Sequence, residues 1–241
     1  MKVTLKTIIS FFNAWAPDDL ALKWDNVGLQ IGDPNQEISE IIVALEVDEH
    51  VLAELKSKRN CLVITHHPLF FKPLSHIRYD YDMGHIIQSF VLGSHQLFSA
   101  HTNLDAALGG VNDCFIKLYG LDPTTGIHIS EGFGKYFDNP KITLKTLVST
   151  LPAKQVGSNC TRSISRLGFC AGAGKSLLTD VLELQIDTFV TGEVSYHDEV
   201  FARMNNIRLI TVGHKESEDC IKYEIKSRLE KENLGIDIKT I

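Results

Sequence analysis

An α/β fold in two similar halves, with mainly parallel sheets, is what this chain predicts. Short β-branched apolar runs alternate with segments of helical periodicity. The same alternation returns in the second half, again placing a histidine-based polar cluster at a strand end. Strands separated by helices imply parallel pairing, with the helices covering the sheet faces.

The elements follow in order. Leu5, Ile8, Ile9, Phe12 and Trp15 fall at helical spacing over Thr4 to Trp15, with Thr4 as N-cap and Pro17 just beyond. Trp24-Asp-Asn-Val-Gly-Leu-Gln-Ile-Gly32 alternates and then breaks at Asp33-Pro34, a short strand between loops. Ile41 to Val47 reads as a strand, and Asp48 as the cap of a helix through Val51, Leu52 and Leu55. Cys61 to Thr65 is a second strand of this rhythm, ending at His66-His67. A helix from Asp82 to Gly93 leads to a third, Gln96 to Ala100, ending at His101. Ala106 to Tyr119 looks helical, opening near Asn112-Asp113.

In the second half, Arg166 to Ala171, Asp187 to Thr191 and Ile207 to Val212 read as strands. Helices are expected at Thr143 to Leu151, Lys175 to Leu184, Ser195 to Met204 and from His214 to about Lys231. Pro123, Gly126, Gly132, Gly134 and Pro140 cluster within Leu121 to Ser163, so the domain boundary is expected there. We place the domains at 1–121 and 122–241, with the C-terminal helix able to pack back on the first.

Composition narrows the class. With 44% hydrophobic and 22% charged residues among 241, the chain has ample material for a core. A net charge of −6 argues against broad electrostatic binding to nucleic acid. No apolar stretch nears the roughly 18 residues a membrane span needs, and no signal-peptide layout opens the chain. A cytoplasmic protein is expected. Cys61, Cys114, Cys160, Cys170 and Cys220 form no C-x-x-C and read as reduced, buried thiols.

Chemistry concentrates in three clusters. Thr65-His66-His67-Pro68, His101-Thr-Asn-Leu-Asp105 and His214-Lys-Glu-Ser-Glu218 each follow a predicted strand. In parallel sheets ligands gather beyond the carboxyl ends of the strands, and imidazole with carboxylate binds divalent metals. Five or six such groups exceed the needs of one catalytic zinc and suit two ions. Without thiolates the set fits Zn, Fe, Mn or Ni. Glu193, His197 and Asp198 follow another strand end and are either acid–base groups or caps of the helix near Ser195. His50, His76, His85, His95 and His128 fit no pattern and are expected to face solvent. Ala171-Gly-Ala-Gly-Lys-Ser176 lacks the first glycine of a phosphate loop, because Phe169 stands there. An anion-holding glycine turn remains open.

The blocks Trp24-Asp-Asn-Val-Gly-Leu-Gln-Ile-Gly32, Thr65-His-His-Pro-Leu69, Ser99-Ala-His-Thr-Asn-Leu-Asp105 and Gly213-His-x-x-Ser-Glu218 resemble those of the Nif-three-like family. Its members are also called GTP cyclohydrolase I type 2 homologues. The resemblance implies two α/β domains facing each other across a dinuclear metal site, and a ring-shaped homohexamer. By position it gives His66, His67, Asp105, His214 and Glu218 as ligands of two divalent ions, with His101 close by as a sixth ligand or proton carrier. Lys215 departs from the aromatic residue or histidine that often follows the last block's histidine, and the chain is too short for the inserted domain of longer relatives.

The expected function is thus a metal-dependent hydrolase of a small molecule, with a nucleotide as the candidate, in which His101 or Glu193 moves a proton. The resemblance points to opening of the imidazole ring of GTP, with Asn26, Gln30 and residues 172–174 as candidate substrate contacts. The alternative is a non-catalytic, metal-binding ring that acts as a scaffold or regulator.

Overall fold

Two units make up the computed structural model, which describes residues 3–130, 132–157 and 163–241. Unit one is Met1–Leu104 with Lys222–Ile241, and unit two is Asp105–Ile221. The division therefore falls at 104/105, where the sequence places it at 121/122, and the chain rejoins unit one near its C-terminus.

Unit one begins with α1 (Leu5–Trp15), which buries Leu5, Ile8 and Phe12 at its apolar spacing. Thr4 does not cap this helix through its side chain; it is extended and bridges to Glu37. There follow β1 (Gly28–Ile31), β2 (Glu40–Ala44), α2 (Glu49–Leu55), β3 (Cys61–Thr65), α3 (Asp82–Gly93) and β4 (Gln96–Ser99). Asp48 caps α2, accepting from the His50 and Val51 N–H groups at 3.0 Å each.

The short α4 (Thr102–Ala106) carries the chain past the division into α5 (Val111–Leu118). A single helix was expected here from Ala106. Gly109, at φ +70°, and Gly110, at the N-cap of α5, interrupt it. Unit two continues through β5 (Ile127–Ser130), β6 (Phe133–Asp138), α6 (Leu144–Thr150), β7 (Lys154–Gly157), β8 (Arg166–Cys170), α7 (Leu178–Glu183), β9 (Thr188–Thr191), α8 (Tyr196–Met204), β10 (Arg208–Thr211) and α9 (His214–Glu218). The chain returns through α10 (Cys220–Lys231) to β11 (Asp237–Thr240).

The first sheet runs β1-β4-β3-β2-β11. All its pairings are parallel except β1 with β4. Its strands β2 and β3 are apolar almost throughout, as strands covered on both faces must be. Ile42, Val63 and Leu97 meet Val51, Leu55 and Phe90 from the helices in one core. The second sheet, β5-β6-β8-β9-β10-β7, is mixed. Only β8-β9 and β9-β10 pair in parallel, whereas β5, β6 and β7 pair antiparallel. The expectation of mainly parallel sheets fails in unit two because the glycine-rich stretch read as a boundary supplies these antiparallel strands. Each unit is nonetheless a mixed α/β fold.

His95 corrects another expectation, being buried. Its Nδ1 accepts the Cys61 N–H at 3.2 Å, and its ring fills the space beside Gly93, where a Cβ would sit 2.1 Å from Nε2. His50, His76, His85 and His128 are exposed as expected. Cys61, Cys114 and Cys170 are free and buried, Cys220 is free and partly buried, and Cys160 lies outside the described residues. No helix among the described residues is long and apolar enough to cross a membrane.

A buried ion pair, not foreseen from sequence, ties α5 to β6. Lys135 Nζ donates to Asp113 Oδ1 at 2.6 Å and to the Pro123 carbonyl at 3.0 Å, and Asp113 Oδ2 accepts the Gly109 N–H at 2.7 Å. Removing one partner strands a charge in the core, so Asp113→Ala is expected to cost about 3–5 kcal/mol in chemical denaturation. The double change Asp113→Leu with Lys135→Met is expected to cost clearly less; equal losses would refute this account.

Candidate metal centre

In unit one, three imidazoles converge at the ends of β3 and β4. The parallel ladder continues past both strands: the His67 N–H donates to the Leu45 carbonyl at 2.8 Å, and the Ala100 N–H to the Thr65 carbonyl at 2.9 Å. Thr65 and Ser99, fully buried and paired in register, join through their hydroxyls at 2.8 Å. Thr65 gives its one hydroxyl proton to the His67 carbonyl at 2.8 Å, so Ser99 is the donor to Thr65. The backbone carrying His66 and His67 is thereby fixed from both sides.

His66 is fully buried and its Nδ1 lies 2.9 Å from the Ala100 carbonyl. A carbonyl only accepts, so Nδ1 carries a proton, and in the neutral ring Nε2 bears the lone pair. His101 is held in the same sense. Its Nδ1 is 3.0 Å from both oxygens of Asp25, a carboxylate that also accepts from Thr102 N–H at 3.0 Å and Thr102 Oγ1 at 2.5 Å. Burial pushes the Asp25 carboxyl up, but the His101 and Thr102 hydrogen bonds and the His101 charge outweigh it and hold it well below the usual range. Asp25 stays anionic and dictates the His101 tautomer, the role of a carboxylate behind a metal-ligating histidine. His67 Nδ1 lies 3.6 Å from Glu46 Oε2. Each of His66, His67 and His101 offers a ligand atom, all within 4.8 Å of one another. Imidazoles held through Nδ1, as those of His66 and His101 are, suit a divalent transition metal.

The loop bearing His101 is pinned from the N-terminal segment. Asn103 is fully buried, its Oδ1 accepts the His101 N–H at 2.9 Å, and its Nδ2 donates to the Ala16 carbonyl at 2.7 Å. Asp25 was missed as a functional residue, although it lies in the quoted Trp24-Asp25-Asn26 block. Its signal was a carboxylate within a motif whose neighbours drew attention as substrate contacts. Asn26 and Gln30 bond to each other and to the Phe70 backbone.

In unit two, His214 and Glu218 stand one turn apart on α9, with His214 Nε2 3.2 Å from Glu218 Oε2. His214 Nδ1 is 3.0 Å from Glu193 Oε1. The hydrogen bond to Glu218 is the chief cause that raises the His214 pKa to about 9, against burial and helped by the charge of Glu218 and by Glu193. Two carboxylates thus hold a proton where a cation would sit. Asp105 lies on α4, and its backbone carbonyl accepts from Asn112 Nδ2 at 3.0 Å. Asn112 Oδ1 in turn accepts the Ala171 N–H at 2.9 Å. Burial first, and then the charges of Asp105 and Glu218, push the Cys170 thiol far up, so it remains protonated.

The glycine turn after β8 makes room for Glu218. At Gly172, where φ is +63°, a Cβ would come within 2.3 Å of Glu218 Oε1 and 3.4 Å of His214 Nε2. The Gly172 N–H donates to Ser217 Oγ at 2.9 Å, and Ser217 donates to the His214 carbonyl at 2.7 Å. Packing against α9 accounts for Gly172, and packing against Thr191 and Phe189 of β9 accounts for Gly174. Between the two readings of the segment after β9, Ser195 and Asp198 form the capping box of α8, and His197 is exposed. Glu193 departs from that group by bonding to His214.

Two outcomes follow. Gly172→Ala is expected to cost on the order of 1–3 kcal/mol, from a left-handed backbone and a displaced Glu218, and to lower metal content; denaturation midpoint and elemental analysis check both. For pH, the His214 pKa lies above its unfolded value of about 6.5. The stabilisation it brings to metal-free protein is therefore complete below pH 6.5 and lost as pH rises through about 9. Denaturation of metal-free protein and of His214→Gln should give curves that converge across that window; divergence would contradict the proton's placement.

The comparisons agree with this architecture. The model of the DUF34/NIF3 (NGG1p interacting factor 3) family matches residues 3–241. NIF3-like protein 1 of Drosophila melanogaster is 32% identical, over 91% of this chain and 80% of its own. A Helicobacter pylori protein named GTP cyclohydrolase 1 type 2 is 33% identical, over 89% of this chain and 86% of its own. Among solved structures, reduced HcgD from Methanocaldococcus jannaschii superimposes with a TM-score of 0.87 at 24% identity, covering 100% of this chain and 98% of that one. Staphylococcus aureus SA1388 does so with a TM-score of 0.87 at 24% identity, covering 100% and 97%. With its family model matched across both units, this chain belongs to the DUF34/NIF3 family.

Proposed function

We propose that this protein is a divalent-metal-dependent hydrolase acting on a nucleotide. His66, His67, Asp105, His214 and Glu218 ligate a dinuclear centre, and His101 and Glu193 serve its proton transfers. The observation that carries the reading is the tautomer control at His66, whose Nδ1 is committed to the Ala100 carbonyl. Control of this kind is what a metal ligand needs, and a solvent-facing histidine has no use for it. The relative named GTP cyclohydrolase 1 type 2 favours GTP as the substrate, with hydrolytic opening of its imidazole ring.

Divalent cations, when held there, supply Lewis acidity and ease the ionisation of water near neutral pH. The chain's own groups do the rest. His101 takes up or returns a proton at Nε2 while anionic Asp25 balances the charge that develops on its ring. Glu193 holds His214 through Nδ1 and, being exposed, can exchange a proton with solvent.

Elemental analysis of purified protein should find about two equivalents of divalent metal per chain; none would remove the basis of the proposal. Protein loaded with Mn, Zn or Fe should release formate from GTP, and His66→Ala should lower that rate at least about 100-fold while the protein stays folded by circular dichroism. Full metal content without turnover on any nucleotide of a broad panel would overturn the hydrolase reading.

A further inference from the structure

Two aromatic rings flank the histidine cluster of unit one and yet face water. Trp24 is 62% exposed and Phe71 is 52% exposed. Their ring centroids lie 6.2 and 5.6 Å from that of His101, at interplanar angles of 71° and 90°. At those angles neither ring stacks flat on the imidazole, so neither spends a face in a parallel stack with it.

The backbone beside both rings is held in place. Asn26 Nδ2 donates to the Phe70 carbonyl at 2.6 Å and to Gln30 Oε1 at 3.3 Å. Gln30 Oε1 also accepts the Phe70 N–H at 3.3 Å, and Gln30 Nε2 donates to the Asn26 carbonyl at 2.8 Å. Two amide side chains thus clip the loop that precedes Phe71 to the segment that follows Trp24. Asp25, the intervening residue, is bonded to His101 and Thr102. The aromatics are fixed to the same scaffold that orients His101. Each also has an exposed lysine beside it in sequence, Lys23 before Trp24 and Lys72 after Phe71, in a chain whose net charge is −6.

Exposed, anchored aromatics suit a ligand with a flat π face, because stacking needs area and fixed orientation more than specific hydrogen bonds. Adjacent lysines suit an anionic substituent on it. We propose that Trp24 and Phe71 bind the planar heteroaromatic ring of the substrate beside His66, His67 and His101, and that Lys23 and Lys72 attract its phosphates. The substrate class rests on the nucleotide-hydrolase reading, but the binding site itself does not require turnover.

Calorimetric titration of the full-length protein with GTP, guanosine and inorganic tripolyphosphate separates the parts. Trp24→Ala and Phe71→Ala should each raise the Kd for GTP and guanosine by roughly 5- to 150-fold, the range for loss of one base–aromatic stack. Their Kd for tripolyphosphate should stay unchanged, and Trp24→Phe should retain most of the guanosine affinity. Lys72→Ala should weaken GTP and tripolyphosphate but leave guanosine as it was. Unchanged guanosine affinity in both alanine variants overturns the proposal, as does an equal loss for guanosine and tripolyphosphate. Stacking losses as expected in a protein without hydrolysis would sustain this site and refute the enzyme; hydrolysis with unaltered base affinity would do the reverse.

Discussion

The candidate centre depends first on where the parallel strands stop. Parallel pairing of β3 with β4 brings Thr65 and Ser99 into register, and the next residue on each strand turns out of the sheet with its backbone still bonded. His66 can therefore reach the Ala100 carbonyl, an acceptor that keeps a proton on Nδ1. A slip of one residue would send His66 to the other face of the sheet and lose that acceptor. Apolar burial sets the register, and the register sets the tautomer.

Unit two reaches a comparable end by crowding. Its strands β8, β9 and β10 finish at glycines 172, 192 and 213, and side chains at the first two would collide with the helix that follows. At Gly192 a Cβ would lie 2.5 Å from the Gly172 carbonyl and 2.7 Å from Ser217 Oγ. The absence of side chains at these strand ends lets α9 sit close, and Ser217 then ties its first turn to the β8 loop. Glycine at these positions is a matter of room, which a motif reading in terms of phosphate binding does not capture.

Legibility in the sequence followed the range of the interaction. Strands and helices driven by local periodicity, such as β3, β4, β8, β9 and α8, stand close to where apolar spacing and capping residues place them. The histidine clusters were visible because imidazole at a strand end is rare enough to attract notice. Hidden were the features set by partners remote in sequence. β11 joins β2 across most of the chain, the hairpin of β5 and β6 resembles a linker because its glycines serve a turn, and His95 is buried only because Gly93 leaves it space. Asp25 belongs to the same class, since its partner His101 lies 76 positions on. Composition around Asp25 says loop; only the folded pairing says orienting carboxylate.

The two units also handle charge differently, which bears on how each meets a cation. In unit one the anion Asp25 acts through the far nitrogen of His101. In unit two Glu218 and Glu193 already share a proton with His214, and a cation must displace it. A cation held by His214 and Glu218 would therefore be coupled to the release of a proton.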